Sequence, residues 1–250
     1  MIGNKYVMGV SYLIYKQVAL LLTTCILLSG MAHAQFKEPN RPDHDALPYY
    51  FGIHLAYNNT YLHPSKSYKF LQDDSILTAE PGASGGVALG FLATFRYDNR
   101  FEFRLNPNLV IGGAKYFTYT LKNPLPGEAL TQKKTLPSSI FTFPVQVKFN
   151  SDRIDNFRVY LLLDGYVSTD LMANAGNRNA EDLIKLKKND YGVETGIGCN
   201  LYMKFVTLSP ELKFTYGMAN LHARDANLKY SSVFDKLQSR MITFSLNIEQ

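Results

Sequence analysis

Within residues 190–250, apolar and polar side chains alternate at a period of two. Val206, Leu208, Pro210, Leu212, Phe214 and Tyr216 share one parity, and Thr207, Ser209, Glu211, Lys213 and Thr215 share the other. The rhythm returns at Ile242, Phe244, Leu246 and Ile248 against Met241, Thr243, Ser245, Asn247 and Glu249. Successive side chains of a strand point to opposite faces, so each segment has one apolar and one polar face. A helix would space its apolar residues three or four apart. Roughly nine to eleven such residues let a tilted strand cross a bilayer. The pattern therefore predicts a membrane β-barrel, with its apolar face to lipid and its polar face to the lumen.

The same alternation places strands at 49–58, 84–97, 100–113, 140–150, 157–169 and 188–201, ahead of the two above. The expected fold is all-β, an eight-stranded antiparallel transmembrane barrel of the outer-membrane type. Phe51, Ile53, Leu55 and Tyr57 would face lipid on the first strand, and Phe141, Phe143, Val145, Val147 and Phe149 on the fourth. The connections alternate long and short along the chain, with long ones at 59–83, 114–139, 170–187 and 217–238. Outer-membrane barrels have short periplasmic turns and longer outer loops, and an even strand number suits closure. Residues 115–121 still alternate, so the third strand is expected to project above the membrane. Aromatics are 13% of the chain, all Tyr and Phe, which suits aromatic girdles. Pro107, Pro144 and Pro210 fall inside expected strands and each removes a ladder donor, which calls for a bulge or an early strand end.

Lys5 and Lys16, the apolar run 18–28 and Ala32-His33-Ala34 before Gln35 have the order of a secretory signal peptide. The expected organisation is a signal peptide at 1–34, a periplasmic N-terminal arm at 35–48 and an outer-membrane barrel at 49–250. Met8 is an alternative start. The arm holds Pro39, Pro42 and Pro48 and reads as extended, with a disordered tail as the other reading. Leu22-Thr23-Thr24-Cys25 loosely resembles a lipobox, but Thr24 is a poor residue before a modified Cys. With Cys25 removed in the leader, Cys199 is the one thiol left and no intramolecular disulfide can form. The formal charge of +5 is scattered, apart from Lys185-Leu186-Lys187-Lys188, and gives no basis for nucleic-acid binding.

An eight-stranded barrel is only wide enough for side chains to fill its interior. The inward set mixes signs: Arg96, Glu102, Arg104, Lys148, Asp164, Glu194, Glu211 and Lys213. Inward Gly on the second and sixth strands leaves room for long Arg and Lys side chains. A lumenal plug of mutually satisfied ion pairs is expected, the alternative being a conduction path or ligand site. The histidines His33, His44, His54, His63 and His222 form no metal-ligand spacing, and neither a metal, a cofactor nor a small-molecule substrate is expected. Gly82 to Gly90 lie on a strand and make no phosphate loop. His222, Asp225 and Ser231 in the last loop could mimic a Ser-His-carboxylate set of a rim-site enzyme, but polar loops assemble such residues by chance. The chain is therefore read as non-enzymatic.

Several stretches resemble one family, the PorT outer-membrane proteins of the type IX secretion system of Bacteroidetes. They begin with Tyr50-Phe51-Gly52-Ile53-His54-Leu55 and Arg104-Leu105-Asn106-Pro107. Phe143-Pro144-Val145-Gln146-Val147-Lys148 and Ser151-Asp152-Arg153-Ile154-Asp155-Asn156-Phe157-Arg158 continue the set. It is strongest at Asn189-Asp190-Tyr191-Gly192-Val193-Glu194-Thr195-Gly196-Ile197-Gly198 and closes with Ser209-Pro210-Glu211-Leu212-Lys213-Phe214 and Leu237-Gln238-Ser239-Arg240. The resemblance covers most of the chain past the leader, and the family carries proline where Pro107, Pro144 and Pro210 stand. It implies a role in export of proteins with C-terminal sorting domains, in gliding motility as well, and other secretion components as partners. It implies no catalytic residues. The alternatives are a small lipid-modifying barrel enzyme and a general structural or adhesion barrel.

Overall fold

The computed structural model of the chain describes residues 39–71, 76–122, 124, 129–173, 184–223, 231 and 233–250; the expected signal peptide and residues 35–38 of the arm lie outside them. Each stretch that alternates at period two contains strand. In chain order the strands are β1 (Tyr49–Lys66), β2 (Ile76–Gly82), β3 (Ser84–Arg96), β4 (Phe101–Leu105), β5 (Asn108–Gly112) and β6 (Lys115–Leu121). They continue with β7 (Thr131–Leu136), β8 (Ser139–Asn150), β9 (Phe157–Asp170), β10 (Asn189–Tyr202), β11 (Thr207–Gly217) and β12 (Phe234–Glu249).

β1, β3, β4 with β5, β8, β9, β10, β11 and β12 form eight antiparallel staves, each paired to its sequence neighbour, and β12 closes on β1 from Gly52↔Glu249 to Lys66↔Phe234. Closure leaves no open edge within the ring, the condition for strands in hydrocarbon, where an unpaired backbone group has no water to turn to. The faces follow the parity. Phe91 is 72% exposed on the outer face, whereas Arg104 and Lys148 have no exposed surface inside. Short turns join the staves at the end that also holds Tyr49 and Glu249, at 97–100, 151–156 and 203–206. By the outer-membrane convention this end is periplasmic.

Three expectations about the strands need correction. The span 100–113 is two strands, because Asn106 and Pro107 leave the ladder. Pro107 follows an early strand end, one of the two expected outcomes, whereas Pro144 and Pro210 stand inside β8 and β11 with neither an end nor a bulge; pairing on β8 runs Leu105↔Val145 and then Asn108↔Thr142, so the register is kept across the gap. Pro144 stands beside the same gap, where the Asn106 N–H donates to its carbonyl at 3.3 Å, so two prolines share one interruption. Opposite Pro210, the β10–β11 pairing skips from Gly198↔Glu211 to Leu201↔Leu208, again without a shift. The long connections are also less empty than expected, since β1 runs on to Lys66, β12 begins at Phe234, and 59–83 and 114–139 contain β2, β6 and β7.

β2, β6 and β7 form a separate three-stranded sheet above the staves they continue. The bend is made at Gly112 and Gly113, with φ of 82° and 72°, a region costly for any residue with a Cβ. These two residues also exchange the parities. Asn108 and Val110 face in below them; Lys115, Phe117, Tyr119 and Leu121 face in above. The inward residues of the upper sheet join Leu62, Leu136, Ile184, Leu186, Leu221, Phe234 and Leu237 in one apolar cluster. Each such side chain withdrawn from water contributes about 1.5–3 kcal/mol, so the outer end of the barrel is closed by an oily cap.

Candidate functional site: the sealed lumen and the segment beneath it

The lumenal charges reach one another because β3, β4, β8, β10, β11 and β12 carry them at matching heights. Arg104 Nη1 donates to Glu211 at 2.6 Å and Nη2 to Glu249 at 2.6 Å. The Tyr160 hydroxyl donates to the same Glu211 oxygen at 2.7 Å and Ser245 to its other oxygen at 3.2 Å. Lower down, Glu102 takes Arg96 Nε at 2.9 Å, Lys148 Nζ at 3.2 Å and the Tyr50 hydroxyl at 2.8 Å. Higher up, Lys213 meets Glu194 at 2.9 Å, and Thr215 donates to the other Glu194 oxygen at 2.6 Å. Asp164 differs from its seven fellows: it accepts from Gln146 Nε2 at 2.6 Å and has no ion pair among the described residues.

Inward glycine makes this packing possible at Gly198, where an added Cβ would lie 2.5 Å from the Tyr160 ring. The sequence reading left Glu249 and Tyr160 out of the network. Glu249 stood on the polar parity of β12 and was recognisable by it. That its carboxylate shares Arg104 with Glu211 depends on β11 and β12 lying side by side, with Ser209 opposite Asn247.

Between this network and the cap, Lys115 is buried. Its Nζ donates to Ser138 at 3.4 Å and lies 3.9 Å from Asp170, which accepts from Ser138 at 2.7 Å. Burial pushes the Lys115 pKa down, against the pull of Asp170 and Asp190 in the other direction. A pocket here of about 40 Å³ is bordered by Lys115, Tyr166, Asp170, Asp190, Glu194 and Leu221. That is room for roughly two or three waters.

The periplasmic mouth is closed by the arm, which is folded rather than extended. Pro42–Ala46 form one 3-10 turn, opened by Arg41 at φ 51°. The arm is fixed by charge. Asp45 accepts from Arg153 at 2.9 Å and meets Arg158 at 3.2 Å, Arg41 Nη1 donates to Thr207 Oγ1 at 3.0 Å, and the Asn40 N–H donates to Asn156 at 2.7 Å. Fixing by partners on the 151–156 turn and at the near ends of β9 and β11 is what overrides the extended preference of a proline-rich stretch. His44 is driven into the mouth between the rings of Tyr50, at 4.8 Å, and Tyr202, at 5.8 Å, and its ring nitrogens have no hydrogen-bond partner among the described residues. Burial, with Arg41 and Arg96 nearby, lowers its pKa to about 4.

Of the remaining candidates, His54 lies in the lumen with Nδ1 2.6 Å from Asn247, and His63 is exposed on β1. His222 Nε2 is 2.8 Å from Ser231 Oγ, but His222 is only 2% exposed and Ser231 is wholly buried under the cap; Asp225 lies outside the described residues. Cys199 is free and half-buried on the outward parity. No group of three or more His, Cys, Asp or Glu able to hold a metal occurs among the described residues.

A closed ring of eight antiparallel staves with lipid-facing aromatics and a filled polar interior defines an outer-membrane β-barrel. The chain belongs to the outer membrane protein beta-barrel domain family, whose profile matches residues 34–223, and it is a protein of the outer membrane. No curated protein matches it in sequence. Among solved structures it is similar to Neisserial surface protein A, at 11% identity over 79% of this chain and 96% of that one, TM-score 0.37. It is also similar to OprG from Pseudomonas aeruginosa, at 13% over 80% and 96%, TM-score 0.40. The attachment invasion locus protein Ail of Yersinia pestis is 8% identical over 82% of this chain and all of that one, TM-score 0.36.

Proposed function

We propose that this chain is a non-enzymatic, PorT-like component of the type IX protein secretion system, needed for export of proteins with C-terminal sorting domains and for gliding motility. The family resemblance set out above supplies the system. The observation that carries the mode of action is the blockage of the lumen at three levels: His44 and the arm below, the Arg104 and Lys148 networks in the middle, and the apolar cap above. A barrel filled in this way acts through its surfaces, by holding partner secretion components at the membrane, and not by passing cargo.

The buried His222–Ser231 contact is the feature that favours an enzymatic reading, and its burial beneath the cap argues against a substrate reaching it. Deletion of the gene tests the proposal. Cargo bearing the sorting domain should accumulate in the periplasm and return to the medium on complementation. Normal export with altered envelope lipid would support the enzyme instead, and normal export with loss of adhesion alone would support a structural barrel.

A further inference from the structure

Arg240 is a cation on the wrong face. Arg96, Arg100, Arg104, Arg153 and Arg158 each meet a carboxylate. Arg240 meets none among the described residues and lies on the lipid-facing parity of β12, one rung pair above Ile242. Its register partners are Tyr61 on β1 and Tyr216 on β11, so it stands in a row of tyrosines at the outer end of the apolar belt. Its guanidinium lies 3.3 Å over the centre of the Tyr216 ring. One nitrogen, Nη1, donates to the carbonyls of Gly217 at 3.0 Å and Ser239 at 2.7 Å. The donors on Nε and Nη2 have no protein acceptor among the described residues.

Directly beside it is a surface groove of about 320 Å³ whose floor is Val193, Phe214 and Ile242. The arrangement has two parts of opposite character. An oriented guanidinium with two free donor nitrogens sits where headgroups begin, and an apolar trough runs down from it into the acyl region. A fork of N–H donors suits phosphate oxygens, and a ring beneath it holds the fork in place. Lys236, four residues up the same face, adds a second positive charge.

We propose that this groove binds a phosphorylated glycolipid of the outer leaflet, with its phosphate on Arg240 and an acyl chain along Val193, Phe214 and Ile242. The occupant is a lipid and not a free anion, because the trough offers a phosphate alone nothing to hold.

The test uses the full chain folded in detergent, presented with lipid A and with the same lipid A stripped of phosphate, bound lipid being counted by native mass spectrometry. Wild type should retain the phosphorylated form about tenfold better, the weight of one charge-assisted hydrogen bond. Arg240→Gln should lose that preference and Arg240→Lys should regain part of it, each variant being accepted only if it keeps the heat-modifiable gel mobility of a folded barrel. Equal retention of the two lipids by wild type, which needs no variant, overturns the proposal. So does an undiminished preference in Arg240→Gln. Displacement of the lipid by millimolar inorganic phosphate would make this an anion site and also overturn it.

Discussion

The interior of the barrel changes character along its axis. Beneath Gly112 and Gly113, Arg104, Glu211, Lys148 and Glu102 are buried while Phe91, Phe103 and Phe244 face outward. Above them Phe117, Tyr119 and Leu121 are buried while Lys133 and Thr135 face outward. The backbone is the same pleated ladder in both halves, so the outside medium makes the difference. Where lipid surrounds the staves, polar groups have only the lumen to go to and must satisfy one another there. Where water surrounds them, the ordinary preference of a soluble protein returns and the oily face turns in. The lower half is thus held by paired charge and the upper half by apolar burial, and each half should fail by its own route.

The largest effect is expected from Glu211→Leu. It leaves Arg104 with Glu249 as its one remaining carboxylate and strips the Tyr160 and Ser245 hydroxyls of their acceptor. Removing one partner of a buried pair costs about 3–5 kcal/mol. The urea midpoint of the detergent-folded barrel should fall accordingly, and Arg104→Met added to Glu211→Leu should not restore it, because Glu249 then loses its own cation. An unmoved midpoint in the single variant would mean the lumen is not held by these charges.

Phe117→Ala should cost about 3 kcal/mol, the usual range for a large buried aromatic, but in a different place. Phe117 packs on Phe234 at 4.7 Å inside the cap and touches none of the lumenal ion pairs. Protease cleavage of the outer sheet should therefore rise while the barrel's heat-modifiable shift stays unchanged. If both failed together, the two halves would be one cooperative unit and the contrast between them would lose its energetic meaning.

The two halves were unequally legible in the sequence. In the membrane half, an apolar outer face and a polar inner face give a clean period of two, so the eight staves, their outward residues and the lumenal charges could be assigned from the chain. Above Gly112, the same period survives in 115–121, but the parity is exchanged by two glycines at positive φ. On β2 a register shift between Ile76 and Thr78 breaks it again. The period in 115–121 still read as a strand projecting above the membrane, and β6 is that strand; β2 and β7, and the exchange of faces, did not show in the pattern. The folded arm was hidden for another reason: three prolines argue for extension locally, and the Arg153, Arg158 and Thr207 contacts that fold it lie more than a hundred residues away.

Acid should separate the arm from the barrel at a cost of at most about 3 kcal/mol. His44 has a pKa of about 4 when docked, against about 6.5 when released. Above pH 6.5 the ring is neutral in both states and docking is independent of pH. As pH falls from 6.5 to 4 the released arm binds a proton that the docked arm refuses, so docking weakens, and below pH 4 the loss levels off. An environment-sensitive dye on Asp43→Cys, in a Cys199→Ser background, should report release across that window. His44→Phe should flatten the response. A response that persists undiminished in His44→Phe would assign release of the arm to groups other than His44.

The smallest effect belongs to the outer skin of the cap. Lys133 Nζ lies 3.9 Å over the Tyr116 ring, a cross-strand diagonal contact between β6 and β7 on the water-facing side. An exposed cation–π pair contributes about 0.5–1 kcal/mol, and the cap's apolar core lies on the opposite face of the sheet. Lys133→Ala should therefore lower the protease resistance of the outer sheet only slightly, well short of Phe117→Ala, and leave the lumenal half untouched. The double variant Lys133→Ala with Tyr116→Ala gives the sharper measurement, because its coupling energy isolates the pair. A coupling near zero would assign the stability of the upper half to its buried side alone, whereas a coupling as large as the Phe117 effect would mean that its polar skin, too, holds the cap together.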